Sequence, residues 1–142
     1  MRDELDKQLC ERYPKIFRDR HAPMTETCMC WGLEVGDGWY PVIDRLCSQI
    51  QNHIDWRNRD SETVTQVVAT QVKEKFGGLR FYYDGGDDVV DGMVRMAESW
   101  AGATCEECGS PGERRGGGWI RTLCDQHEEE RQERMKERYQ GA

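Results

Sequence analysis

Nowhere does the 142-residue chain contain eighteen consecutive apolar residues, and its opening Met-Arg-Asp-Glu-Leu-Asp-Lys is charged where a leader would be apolar. A transmembrane helix needs about twenty apolar residues and a secretory leader roughly seven to fifteen, so membrane spanning and secretion are both disfavoured. Positive charge is also short, with 20 basic side chains against 27 acidic ones and a formal charge of −7. The mean field repels a phosphate backbone, which argues against sequence-independent binding of DNA or RNA while leaving room for a local basic face. An acidic protein suits the basic face of another protein, or the mimicry of a nucleic acid. Gly116-Gly117-Gly118 has neither the Walker nor the dinucleotide-binding pattern and reads as a loop tip. The seven cysteines are odd in number, and four have spacings suited to metal rather than to a disulfide scaffold. A reducing, cytoplasmic setting is the expectation.

Enough apolar material remains for a core: 37% of residues are apolar, with five Trp and five Tyr among them. A chain of this size buries roughly 70% of its unfolded surface, so one α+β body with a small appendage is expected. Leu5, Leu9 and Tyr13 mark a helix over 3–13, with Asp3 or Asp6 near its positive end, and Pro14 interrupts it. Residues 19–38 lose periodicity, with a short strand placed around 30–35. Gly36 to Pro41 then turns into the clearest helix, where Val42, Ile43, Leu46, Cys47, Ile50 and Ile54 recur at helical spacing up to Trp56. On that stripe Cys47 reads as a buried small hydrophobe, and His53 as an isolated surface residue.

Residues 63–74 are rich in Val and Thr, and 79–83 read Leu-Arg-Phe-Tyr-Tyr, which predicts a β-hairpin with Gly77 and Gly78 supplying positive φ in the turn. Alternation puts Val68, Thr70 and Val72 on one face, and Leu79, Phe81 and Tyr83 on one face of the return strand. A lone hairpin is marginal, so it must pack on helices or recruit the strand near residue 33. Asp87 or Asp88 caps a further helix carrying Val89, Val90, Met93, Val94, Ala97, Trp100 and Ala101, which ends at Gly102. The expected organisation is an α+β body over 1–102, followed over 103–142 by a zinc ribbon with a polar terminal helix.

The ribbon rests on Cys105-Glu106-Glu107-Cys108-Gly109 and Cys124-Asp125-Gln126-His127, two ligand pairs of two-residue spacing separated by fifteen residues. Each pair can fill neighbouring vertices of a tetrahedron around one Zn2+, and Gly109 permits the tight reversal. Three thiolates and a neutral imidazole leave no open position for water, so the ion is expected to be structural, with no catalytic residue attached to it. The helix that follows, 125–140, is nearly all polar, with Met135 and Tyr139 as one apolar pair and Glu130 placed to support Arg134. It reads as a solvated face, or as an arm for a partner.

Other constellations are less specific. His21, Cys28 and Cys30, with Cys10, could form a second zinc site, although packed reduced cysteines account for them more simply. Asp37, Asp84, Asp87 and Asp88 read as turn and cap residues rather than as a catalytic set. Basic residues concentrate at Lys73, Lys75 and Arg80 on the hairpin and at Arg114, Arg115 and Arg121 on the ribbon. If the two regions adjoin, these residues with Tyr82 and Trp119 would form a cationic aromatic surface for an anionic ligand, a nucleotide or a base.

The segment Val72-Lys73-Glu74-Lys75-Phe76-Gly77-Gly78-Leu79-Arg80-Phe81-Tyr82-Tyr83 resembles a family of small proteins encoded in phage and bacterial genomes, and the resemblance extends from Gly38-Trp39 through the cysteine pairs. No activity goes with that family, so the resemblance implies a phage or prophage setting and transfers no site residues. Two functions follow as expectations. The first is a non-enzymatic interaction module, an inhibitor or accessory factor that binds a protein partner; the second is a nucleotide or nucleic-acid binder using the cationic aromatic surface.

Overall fold

A computed structural model describes residues 1–141. Helix α1 (Asp3–Arg12) carries Asp3, Glu4 and Asp6 in its first turn, where acidic side chains meet the positive end of the helix. Leu9 enters the core from this helix, and Tyr13 follows where the chain leaves it. Asp6 is buried as well: one carboxylate oxygen accepts from Arg20 Nε at 2.9 Å and the other from the Leu33 backbone N–H at 2.9 Å. A buried charge persists only when paired and hydrogen-bonded in this way.

The stretch after α1 contains a 3-10 turn at Cys28–Trp31 and strand β1 (Leu33–Glu34). Helix α2 (Tyr40–Arg57) starts with Pro41 in its first turn, and its six stripe residues, Val42, Ile43, Leu46, Cys47, Ile50 and Ile54, are all buried. Each aliphatic side chain so buried contributes on the order of 1.5–3 kcal/mol. Strands β2 (Val68–Lys75) and β3 (Gly78–Asp84) form the hairpin, and β1 joins it as expected, parallel to β2, giving a mixed sheet of order β1-β2-β3. Helix α3 (Asp88–Ala101) packs on β3 and α2 packs on α3. Trp39, Ile43, Ile50, Val72, Leu79 and Val90 meet in the fully buried centre.

Three local expectations are corrected. In the hairpin tip the left-handed positions fall on Phe76 (φ +53) and Gly77 (φ +79), because Gly78 is already paired with Lys75. Two positive φ values in a two-residue loop define the type I′ turn that matches strand twist. Along β2 the alternation breaks at Thr70, since Ala69 faces Tyr83 while Gln71 faces Tyr82. The extra residue is a bulge, and it puts Ala69 rather than Val68 on the face of Val72. His53 is half-buried rather than at the surface alone, with Nε2 2.8 Å from Asp87 Oδ2, so it ties the end of α2 to the cap of α3.

Beyond α3, strands β4 (Glu113–Arg115) and β5 (Arg121–Leu123) form a two-stranded antiparallel sheet, and α4 (Asp125–Gln140) follows. This segment shares a buried seam with the preceding body. Trp39 Nε1 donates to the Thr104 carbonyl at 2.9 Å, and Thr122 Oγ1 donates to the Gly77 carbonyl at 2.6 Å. No helix among the described residues is long and apolar enough to cross a membrane.

Candidate metal centre

Cys105 and Cys108 flank a knuckle that Gly109 closes with φ +81, its N–H donating to the Cys105 carbonyl at 2.9 Å. Cys124 sits at the start of α4, and His127 one turn later points back to it. The four ligand atoms lie within 4.8 Å of one another. Cys108 Sγ is 3.8 Å from Cys124 Sγ, and His127 Nδ1 is 3.6 Å from Cys105 Sγ and 3.2 Å from Cys124 Sγ. A zinc tetrahedron with Zn–S of about 2.3 Å and Zn–N of about 2.0 Å has S···S edges near 3.8 Å and S···N edges near 3.5 Å. A disulfide would need sulfurs about 2.05 Å apart, and all the cysteines are free.

Acidic and basic neighbours complete the cluster. His127 Nε2, on the side away from the sulfurs, is 3.6 Å from Glu107 Oε2, and Arg121 Nη1 donates to Glu107 Oε1 at 2.9 Å. A carboxylate behind a ligating imidazole fixes its tautomer and orientation. Ser110, through its hydroxyl and its backbone N–H, holds the Cys108 thiol down to about 6. For Cys124 the His127 N–H favours the thiolate, but desolvation and the neighbouring Cys105 and Cys108 outweigh it and push the thiol up.

The knuckle rests on the body through residues not anticipated as functional. Gly38 N–H donates to the Glu106 carbonyl at 2.7 Å and Gly36 N–H to the Glu106 carboxylate at 3.0 Å. A Cβ on Gly38 would lie 2.2 Å from the Cys105 carbonyl oxygen and 2.7 Å from the Cys108 nitrogen. Two glycines flanking Asp37 just ahead of a buried Trp were the available signal, since close backbone approach is a standard reason for glycine. Arg131 is a second addition. Its guanidinium donates to the Trp119 carbonyl at 2.7 Å and the Gly116 carbonyl at 2.9 Å, so the glycine loop is pinned to α4. Glu130 does not pair with Arg134; it accepts from Gln126 at 3.2 Å and faces His127.

The basic residues are brought together only in part. The hairpin tip does meet the ribbon at Gly77 and Thr122. Lys73 and Arg80 stand opposite each other on the outer sheet face, with Tyr82 beside them, while Lys75 Nζ lies 5.6 Å over the Phe76 ring. Arg115 is engaged by Asp125 at 2.7 Å and Arg121 by Glu106 and Glu107, whereas Arg114 and Trp119 are exposed. Asp37 accepts from the Arg2 N–H at 2.9 Å and Asp87 caps α3 through Val90 N–H at 3.1 Å. Among the described residues no second group of three metal-ligating side chains forms: His21 and Cys28 are exposed, and Cys10 lies beside Asp6, its thiol pushed up to about 11 by burial and that carboxylate. Comparison with protein-family models, curated proteins and solved structures found no match, so the site is read from its own geometry.

Proposed function

We propose that the chain is a non-enzymatic interaction module whose carboxy-terminal third is held in shape by one zinc ion on Cys105, Cys108, Cys124 and His127. The observation that carries this reading is the mutual approach of the four ligand atoms within 4.8 Å. With all four vertices supplied by protein, the ion would act as a folding staple and leave no position for a reacting water. The likeness of the Val72–Tyr83 segment supports a phage or prophage setting, in which the module binds a protein as an inhibitor or accessory factor.

Two measurements test it. Elemental analysis of the purified chain is expected to return one zinc per molecule, and Cys108→Ser or chelation is expected to unfold residues 103–125. Unchanged far-ultraviolet circular dichroism and one-dimensional NMR after metal removal would reject the staple. Affinity capture from the native cell, with a nuclease-treated parallel, tests the partner: loss of every captured protein on nuclease treatment rejects direct protein binding. A second reading, nucleotide or nucleic-acid binding, is favoured by one feature. Lys73 and Arg80 are like charges in direct cross-strand register beside the exposed Tyr82 ring, an arrangement an anion would relieve.

A further inference from the structure

We propose that the cleft between α4 and the β1 edge is a peptide-docking groove for a segment that presents carboxylates to Arg134 and Arg138 and an apolar side chain to Trp119. This rests on the interaction-module reading and specifies its surface and the chemistry of its partner. The cleft encloses about 1080 Å3, room for several side chains.

One wall is the terminal helix. At about 100° per residue, positions 131, 134, 135 and 138 fall on one side of a helix, and all four line the cleft. Glu129, Glu133 and Glu137 fall on the other side. Charges that alternate along the sequence are therefore divided around the girth, with the arginines facing inward. Arg131 is committed to the glycine loop, but Arg134 and Arg138 have no carboxylate within 4.0 Å among the described residues.

The facing wall offers free carboxylates beside the Met1 ammonium and the paired Arg121. Glu34, on the β1 edge, is exposed and has no ion pair among the described residues, and Glu74 lines the same side, while Glu106 there is buried and already paired with Arg121. Between the walls stands Trp119, 75% exposed on a loop that Arg131 pins. An aromatic side chain on a fixed stretch of backbone is a low-cost anchor, because the backbone has little freedom left to lose on binding and the ring has only two side-chain torsions. A phosphodiester strand repeats negative charge at every unit and would meet Glu34 and Glu74. A polypeptide can offer acids to one wall and a Lys or Arg to the other. Charge complementarity thus selects a peptide.

The test is selection of a random phage-displayed dodecapeptide library on the zinc-loaded full chain, with Arg134→Glu/Arg138→Glu as counter-target. Enrichment of peptides that combine Asp or Glu with Leu, Phe or Trp and with a Lys or Arg is expected. By fluorescence anisotropy these should bind at least about tenfold more weakly to the double variant and to Trp119→Ala, and more weakly as salt rises. Both altered surfaces are exposed, and equal zinc content and circular dichroism establish that the variants fold. The proposal is overturned if no sequence is enriched over the counter-target, or if a poly(dT) oligonucleotide binds these residues more tightly than any selected peptide. It is equally overturned by a dimer in sedimentation velocity that Arg134→Glu dissociates, which would assign the cleft to a second copy. Should the double variant capture the same proteins from the native cell as the parent chain, the groove fails while the module stands; should the parent capture none, the module itself fails.

Discussion

Gly38 leaves no space for even a methyl group, with the Cys105 carbonyl oxygen 2.2 Å and the Gly109 nitrogen 2.6 Å from where its Cβ would stand. The obstruction is backbone on every side, so relief requires the knuckle to move and the ligand geometry with it. Gly38→Ala is expected to destabilise the fold by about 1–3 kcal/mol and to weaken zinc retention, read by thermal unfolding and by competition with a chromogenic chelator. Equal zinc affinity in parent and variant would show that the contact is incidental. The His53–Asp87 pair makes a different prediction. The hydrogen bond from His53, and after it that from Val90 N–H, holds the Asp87 carboxyl below its ordinary 3.8. A depressed acid stabilises the fold above its unfolded value and loses that contribution as pH falls below 3.8. Asp87→Ala should therefore cost about 1 kcal/mol at neutral pH through the lost cap, and should flatten the acid limb of the stability curve below pH 4. Parallel acid limbs in parent and variant would remove the pair from that account.

At the scale of elements, the hairpin tip holds a non-glycine residue where the turn asks for left-handed backbone. Phe76 takes φ +53 and is 62% exposed, so it returns little packing for its strain. Phe76→Asn, which suits the first position of a type I′ turn, is expected to stabilise by about 0.5–1 kcal/mol and raise Tm by about 3 °C. A lower Tm would mean that the Phe76 ring is used by something other than the turn. The Arg131 strut makes the next prediction. Its guanidinium is the tie between α4 and the Gly116–Trp119 loop, so Arg131→Ala should accelerate amide exchange over 116–119 while leaving circular dichroism unchanged. Unchanged exchange would show that the loop is ordered without it.

The whole molecule was legible in the sequence wherever pattern is local. The stripe from Val42 to Ile54, the Pro41 start, the Asp87 cap and the spacing of Cys105, Cys108, Cys124 and His127 each depend on neighbours within a few turns, and all four ligands converge. What was hidden depends on contacts across the chain. The Thr70 bulge is a property of register with β3, the burial of Asp6 depends on Arg20 and Leu33, and the fit of Gly36 and Gly38 to Glu106 spans some seventy residues. The arginine side of α4 was open to reading from the 131, 134, 138 spacing, yet its meaning needed the opposite wall. The net charge of −7 left room for a local basic face but could not place it, because it averages over faces that the fold separates.

That separation bears on how metal and partner would influence each other. One wall of the cleft belongs to the body, through Glu34 and Val35, and the other to α4, which is preceded by Cys124 and carries His127 in its first turn. An ion that fixes α4 also sets the width of the groove, and a peptide that bridges the groove holds α4 against the body. Thermodynamic reciprocity then requires the two events to raise each other's affinity by the same factor. A peptide lodged in the cleft would slow the escape of zinc, and a cell poor in zinc would find the module deaf to its partner.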